Sequence, residues 1–201
     1  MSAKQSADAR SVPFLVFTDA NETRRLFVLA PGLDSASVGR RPPSDVLLDW
    51  DDQVSRAHAR FERAGEAWEL VDDGLSRNGT FVNGERLSGR CRLSDGDRLR
   101  FGNTTVTFRA PASASAAVGL STTQRRVLEA LCRPYKASSA SARPAADAQI
   151  AQELFLSVGE VQAHLKVLGV KLGLDGPAPG EQRILLVERA LSAGLVSEAE
   201  F

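Results

Sequence analysis

Three short runs concentrate the residue types that could do chemistry in this chain of 201 residues. They are Val38-Gly-Arg40, Val54-Ser-Arg-Ala-His58 and Ser76-Arg-Asn-Gly-Thr-Phe-Val-Asn-Gly84. Guanidinium, hydroxyl and amide groups recur in them beside glycines. Such a set suits a phosphate group, because a planar guanidinium can grip two of its oxygens while a hydroxyl and backbone amides take the rest. The set does not suit catalysis. Ser55, His58 and Asp72 have the composition of a nucleophilic triad, but Ser55 and His58 lie three apart in one run, with no nucleophile elbow around the serine. Asp51-Asp52 lacks a second ligand cluster for a metal, and no glycine-rich phosphate loop carrying a lysine is present. The expectation is therefore no enzyme, no metal site and no cofactor.

The flanking sequence must hold these runs still, and it reads as β-structure. Short runs at 13–19, 24–30, 59–64, 67–72, 80–84, 97–102 and 104–109 alternate apolar with polar residues. Turn signals separate them: Ala30-Pro-Gly32, Asp73-Gly74, Asn83-Gly84, Ser94-Asp-Gly96 and Gly102-Asn103. Many short strands at this spacing predict a β-sandwich, whose loops are suited to carry binding groups on a rigid frame. Trp68, Phe81 and Phe101 are expected in its core. Residues 110–117 are alanine, proline and serine with nothing to bury, which predicts a linker.

Beyond the linker the apolar period becomes helical. Val127, Leu128 and Leu131 share a stripe, as do Ile150 and Leu154, then Val161, Leu165, Leu168 and Leu172, then Ile184, Val187 and Leu191. Ser121-Thr-Thr-Gln124 and Ser157-Val-Gly-Glu160 fit the capping-box pattern. Four helices are expected near 121–132, 145–155, 158–172 and 180–194, with a loop over 133–143.

Composition narrows the function classes. The chain is 43% hydrophobic and 25% charged, with 25 basic and 25 acidic residues. Residues 1–117 hold 16 of each and residues 118–201 hold 9 of each, so neither half is a bulk polycation and any nucleic-acid contact must come from local charge. No apolar run is long enough to span a membrane. The first residues lack an apolar signal core, and Cys91 and Cys132 form no metal-type pair, which points to a cytoplasmic protein.

The three loop runs, in their order and spacing, resemble the forkhead-associated (FHA) domain, whose pattern is Gly-Arg, then Ser-Arg-x-His, then Asn-Gly-Thr-x-x-Asn-Gly. The resemblance covers about 100 residues and implies an antiparallel sandwich of about 11 strands that binds phosphothreonine peptides. By that resemblance Arg40 and Ser55 contact the phosphate, and Arg56 adds a contact from the same loop. Asn78 hydrogen-bonds the peptide backbone. Gly39, His58, Gly79, Asn83 and Gly84 are implied as scaffold. Arg77 stands where the family commonly has threonine or a small residue. It either adds a phosphate contact, reads an acidic residue of the peptide, or is a solvated rim residue, and Arg41 is similarly open.

The segment from Asp147 to Leu174 resembles the LuxR-type helix-turn-helix, which runs Ile-Ala-x-x-Leu, a short turn, Val-x-x-His-Leu and Lys-Leu-Gly. The resemblance implies that Gln162, Ala163, Lys166 and Lys171 face DNA. Glu160 and Gln162 replace the family's usual threonine and lysine, which weakens any phosphate term.

The expectation is thus a multi-domain chain. A tail spans 1–11, an all-β FHA sandwich 12–110, a flexible linker 111–119, and a small all-α LuxR-like domain 120–196. The main functional reading is a phosphothreonine reader joined to a DNA-binding domain, a phosphorylation-linked transcriptional regulator. The alternative is a phosphopeptide adaptor in Ser/Thr kinase signalling whose helices make protein contacts. Expected partners are a phosphothreonine protein (a Ser/Thr kinase or its substrate), double-stranded DNA under the first reading, and a second copy as a homodimer, but no membrane. Thr122 and Thr123 are candidates for intramolecular capture after phosphorylation.

Overall fold

In the computed structural model, described over residues 12–110, 119–174 and 179–196, two sheets form the expected sandwich. The first contains β1 (Phe14–Thr18), β2 (Arg24–Val28), β7 (Thr80–Val82), β8 (Glu85–Arg86), β10 (Arg98–Phe101) and β11 (Thr104–Arg109), in the order β2-β1-β11-β10-β7-β8. The second contains β3 (Ser35–Gly39), β4 (Val46–Leu47), β5 (Ala59–Ala64), β6 (Ala67–Asp72) and β9 (Gly89–Arg92), in the order β4-β3-β5-β6-β9. The tail expected over 1–11 lies outside the described residues, as does the linker expected over 111–119 apart from Gly119.

The sandwich is antiparallel except at one pair, where β3 and β4 run parallel. The cause is the connection. Residues 40–45 do not reverse the chain in a hairpin; they bring it back beside Ser37, so β4 runs along β3 in the same direction. Asp45 closes this loop by accepting from the backbone N–H and the hydroxyl of Ser37 at 2.8 and 2.6 Å.

Leu15, Phe17, Phe27, Leu29, Val38, Phe61, Trp68, Leu70, Leu99, Phe101 and Phe108 fill the space between the sheets. Phe81 departs from its expected core place. It is half-buried, with the Arg100 guanidinium 3.8 Å above its ring.

The four helices form as expected: α1 (Thr122–Cys132), α2 (Asp147–Leu154), α3 (Val158–Lys171) and α4 (Pro179–Ser192). Both capping boxes are made, Ser121 with Gln124 and Ser157 with Glu160. The stretch expected to be loop opens instead with a 3-10 turn, Arg133–Ala137, that drives Tyr135 fully into the core. Proline at its second residue suits a helical first turn, and the aromatic ring supplies the apolar area that holds it.

The helices do not hang free of the sandwich. Val12, Phe14, Val16, Leu26, Val28 and Ala30 leave the outer face of β1 and β2 and enter one core with Leu131, Tyr135, Ile150, Leu165, Val187 and Leu191. Arg24 on β2 meets the Glu188 carboxylate of α4 with two hydrogen bonds of 2.7 and 2.9 Å. The Ala30 amide donates to Ser138 Oγ at 3.2 Å. This docking explains why Phe14-Leu15-Val16-Phe17 is continuously apolar, since a strand buried on both faces has no polar side to alternate with.

Candidate phosphopeptide-binding site

Parts of all three motif runs meet at one end of the sandwich, while Asn83 and Gly84 of the third lie at the other end of β7. The β3–β4 loop carries Arg40, the β4–β5 loop carries Ser55 and Arg56, and the β6–β7 loop carries Arg77 and Asn78. Together with Asp52, Gln53, Val54, Ala57 and Leu75 they line a cleft of about 400 Å³.

Each loop is pinned by hydrogen bonds within the chain. The Arg40 amide donates to the Ser55 carbonyl at 3.0 Å, and Arg40 Nε donates to the Val54 carbonyl at 2.8 Å. The two terminal nitrogens of that guanidinium make no hydrogen bond or ion pair among the described residues. Gly39 is needed because a Cβ there would run into the Arg56 carbonyl and the Ser44 hydroxyl. Ser55 is held from three directions. Its carbonyl takes the Arg40 amide, its amide donates to His58 Nδ1 at 3.0 Å, and its hydroxyl oxygen accepts from the Arg77 amide at 2.9 Å. A hydroxyl that already accepts still has its proton to give.

His58 links two of the loops. It is buried. Its Nδ1 accepts from Ser55, so Nε2 carries the proton, and it faces the Gly79 carbonyl at 3.4 Å. Burial pushes its pKa below the ordinary histidine value, only partly opposed by Gly79 and by the charges of Asp72 and Asp51. The ring therefore stays neutral and bridges the second loop to the third.

Two buried aspartates staple the remaining segments. Asp72 accepts from the hydroxyls of Ser76 and Thr80 and from the Gly74 amide. Asp51 accepts from the Gln53 amide at 3.0 Å and from the Asn103 amide and the Thr104 hydroxyl at 2.8 Å each. Burial alone would raise both pKa values, but these donors hold both carboxyls below the usual range. Asn83 adopts a left-handed φ of 53°, and its side chain closes the β7–β8 turn against Asp97 and the Arg98 amide. Gly79 has φ of 81°, and a Cβ there would sit 2.6 Å from Arg86 Nε. Gly84, with φ of 90°, completes the same turn.

Asn78 shows a division of labour that its motif position does not reveal. Its Nδ2 is already spent on Gln53, at 2.9 Å to the carbonyl and 3.1 Å to Oε1. Its Oδ1 has no partner among the described residues, so accepting from a peptide is the open half of its chemistry. Arg56 and Arg77 are exposed at the rim, and Arg41 is exposed but does not line the cleft. Among the described residues, Arg40, Arg56 and Arg77 thus face the cleft against the carboxylate of Asp52. Sequence reasoning missed Gln53 and Leu75. Leu75, 64% exposed, gave a signal in being a lone apolar residue within a polar turn.

The residues expected to face DNA are arranged differently. Gln162, Ala163 and Lys166 are exposed on α3, but Gln162 donates to Asp147 at 3.1 Å. Lys171 donates to the Gly119 carbonyl and to Gln124 Oε1. The same surface exposes Val167 and Val170, with Phe155 95% exposed on the turn before α3. Thr122 and Thr123 lie in the first turn of α1, behind the Ser121 cap.

Residues 36–102 match the family model described as the FHA domain. The chain is 44% identical over 75 residues to an oxoglutarate dehydrogenase inhibitor of Corynebacterium jeikeium, covering 37% of this chain and 50% of that protein. It is 42% identical over 74 residues to the glycogen accumulation regulator GarA of Mycolicibacterium smegmatis, covering 37% of this chain and 45% of that one. The chain therefore spans about half the length of the curated relatives it matches. Among solved structures, the FHA domain of FhaA, complexed with an intracellular domain, is 30% identical and aligns with 48% of this chain and 99% of that one, at a TM-score of 0.42.

Proposed function

The sandwich of this chain is an FHA domain, and on that premise we propose that the protein is a phosphopeptide adaptor in Ser/Thr kinase signalling, docking phosphothreonine segments of a kinase or of its substrate. One observation carries the reading. The Arg40 guanidinium is fixed through Nε while its terminal nitrogens stay free, beside a Ser55 hydroxyl that has its proton to give. A phosphothreonine dianion has the acceptor oxygens to take both. Arg56 and Arg77 add charge at the rim, and Asn78 Oδ1 accepts from the peptide backbone.

The curated relatives support a regulatory role, since their names denote an inhibitor and a regulator. The expectation of a DNA-binding regulator finds no such support, and the adaptor reading replaces it. Gln162 and Lys171 hydrogen-bond to neighbouring segments of the chain, and the exposed face of α3 sets valines beside Lys166 where phosphate contacts would need more cations. Titration with a phosphothreonine peptide library and its unphosphorylated twin tests the proposal. Phosphate-dependent binding lost in Arg40→Ala and Ser55→Ala is the expected result. Equal binding of both libraries, or full affinity in both variants, would overturn it.

A further inference from the structure

We propose that the exposed face of α3 is a self-association surface, on which two copies of this chain pair their α3 helices antiparallel about a two-fold axis near position 165. The face is apolar and unpartnered. At 100° per residue Gly159, Ala163, Val167 and Val170 fall within one stripe, opposite the buried Val161, Leu165 and Leu168. Val167 is 42% and Val170 62% exposed, and the space over Gly159 is open.

The stripe is complementary to itself when reversed. An isologous pairing brings position i against j and j against i. With the axis near 165, Gly159 lies opposite Val170 of the second copy and Ala163 opposite its Val167. Each valine then meets a small residue that leaves room for it. The charges follow the same symmetry. Glu160 and Lys171 stand on one flank of the stripe, and in an antiparallel two-fold pair like flanks adjoin. Glu160 of each copy therefore lies beside Lys171 of the other, giving two ion pairs from one register. Among the described residues the Lys171 ammonium meets only neutral oxygens, so it has charge to offer. One feature opposes the pairing. Lys166, on the other flank, comes near its own symmetry mate and must turn outward. A contact of one helix from each side is small, so the dimer is weak and forms at high local concentration.

Sedimentation of the full chain over a roughly hundredfold concentration range tests this. The expected result is a reversible monomer–dimer equilibrium. Val167→Asp and Val170→Glu each weaken it at least tenfold, without lowering the melting temperature or the phosphopeptide affinity. Lys166→Gln tightens it. Glu160→Lys and Lys171→Glu each weaken it alone, and an equimolar mixture of the two variants restores dimers, because opposite charges then face each other at both ends. A monomer at every concentration overturns the proposal, as does a dimer indifferent to Val167→Asp and Val170→Glu. So does salt-dependent binding of duplex DNA that Lys166→Gln abolishes and the valine variants do not.

Discussion

The loop end of the sandwich and the surface of α3 both carry residues that the sequence singles out as binding groups, yet they differ in what those residues have left to give. In the loops, backbone groups, the neutral His58 ring and the Asp72 and Asp51 carboxylates do the tying. His58, Asp72 and Asp51 are buried and satisfied, and the Arg40 terminal nitrogens and the Ser55 proton are spare. On α3 the polar motif residues do the tying themselves. Gln162 holds Asp147 and Lys171 holds the start of α1, which leaves an apolar stripe facing outward. A motif places a residue type at a position; its free valences decide whether it binds.

The contrast can be probed, beginning with the largest effect. Leu191→Ala removes a fully buried side chain from the core that the helices share with β1 and β2. It should cost about 2–5 kcal/mol. Both tryptophans, Trp50 and Trp68, lie in the sandwich. Their fluorescence should report the loss in chemical denaturation if the two regions unfold together. An unchanged tryptophan transition would mean that the helices melt alone.

Arg40→Ala should weaken phosphothreonine-peptide binding by roughly 2–3 kcal/mol, on the order of 100-fold, as expected for charged hydrogen bonds. Its melting temperature should barely move, and calorimetric titration beside a thermal melt would check both. The matching change on the other surface, Lys166→Ala, should leave phosphopeptide affinity intact.

Acidification should loosen the loop end. His58 is neutral and burial sets its folded pKa below the unfolded value, so its contribution is complete above about pH 6.5 and is lost as pH falls from there through the lower folded pKa. Thermal melts of the free protein between about pH 7.5 and 5.5 should fall, with a shallower slope in His58→Gln. The carboxyls of Asp51 and Asp72, also depressed, keep their contribution above about pH 4 and lose it only in more acidic solution. The smallest effect is expected at the junction of the two regions. The Tyr135 hydroxyl is buried without a hydrogen-bond partner among the described residues, so Tyr135→Phe should leave stability unchanged or slightly higher. A drop of several degrees in melting temperature would reveal a partner that the hydroxyl holds.

Much of this was legible because it is local. The turn glycines, the two capping boxes and the helical stripes act over a few residues, and all appear where the sequence predicts them. Strands β3, β4, β8 and β9 were not legible, since β3 is mostly small residues (Ser35-Ala-Ser-Val-Gly39) and the others have two to four residues, too few to carry a pattern. Tyr135 was hidden in a polar, proline-containing stretch that reads as loop. The docking of the helices left one trace. Phe14 to Phe17 and Leu26 to Ala30 are apolar without interruption, whereas a strand with one wet face would alternate.

The sequence by itself determined the order of elements and the presence of three phosphate-suited loops, because propensity, turn chemistry and side-chain type are properties of neighbouring residues. Only the tertiary structure decided which of those groups remain free. Arg24 finds Glu188 from 164 positions away, Asn78 finds Gln53 from 25, and Lys171 finds Gly119 from 52. A hydrogen bond has a fixed number of donors and acceptors to spend. Which partner takes them is set by the packing of distant segments, which no local pattern records.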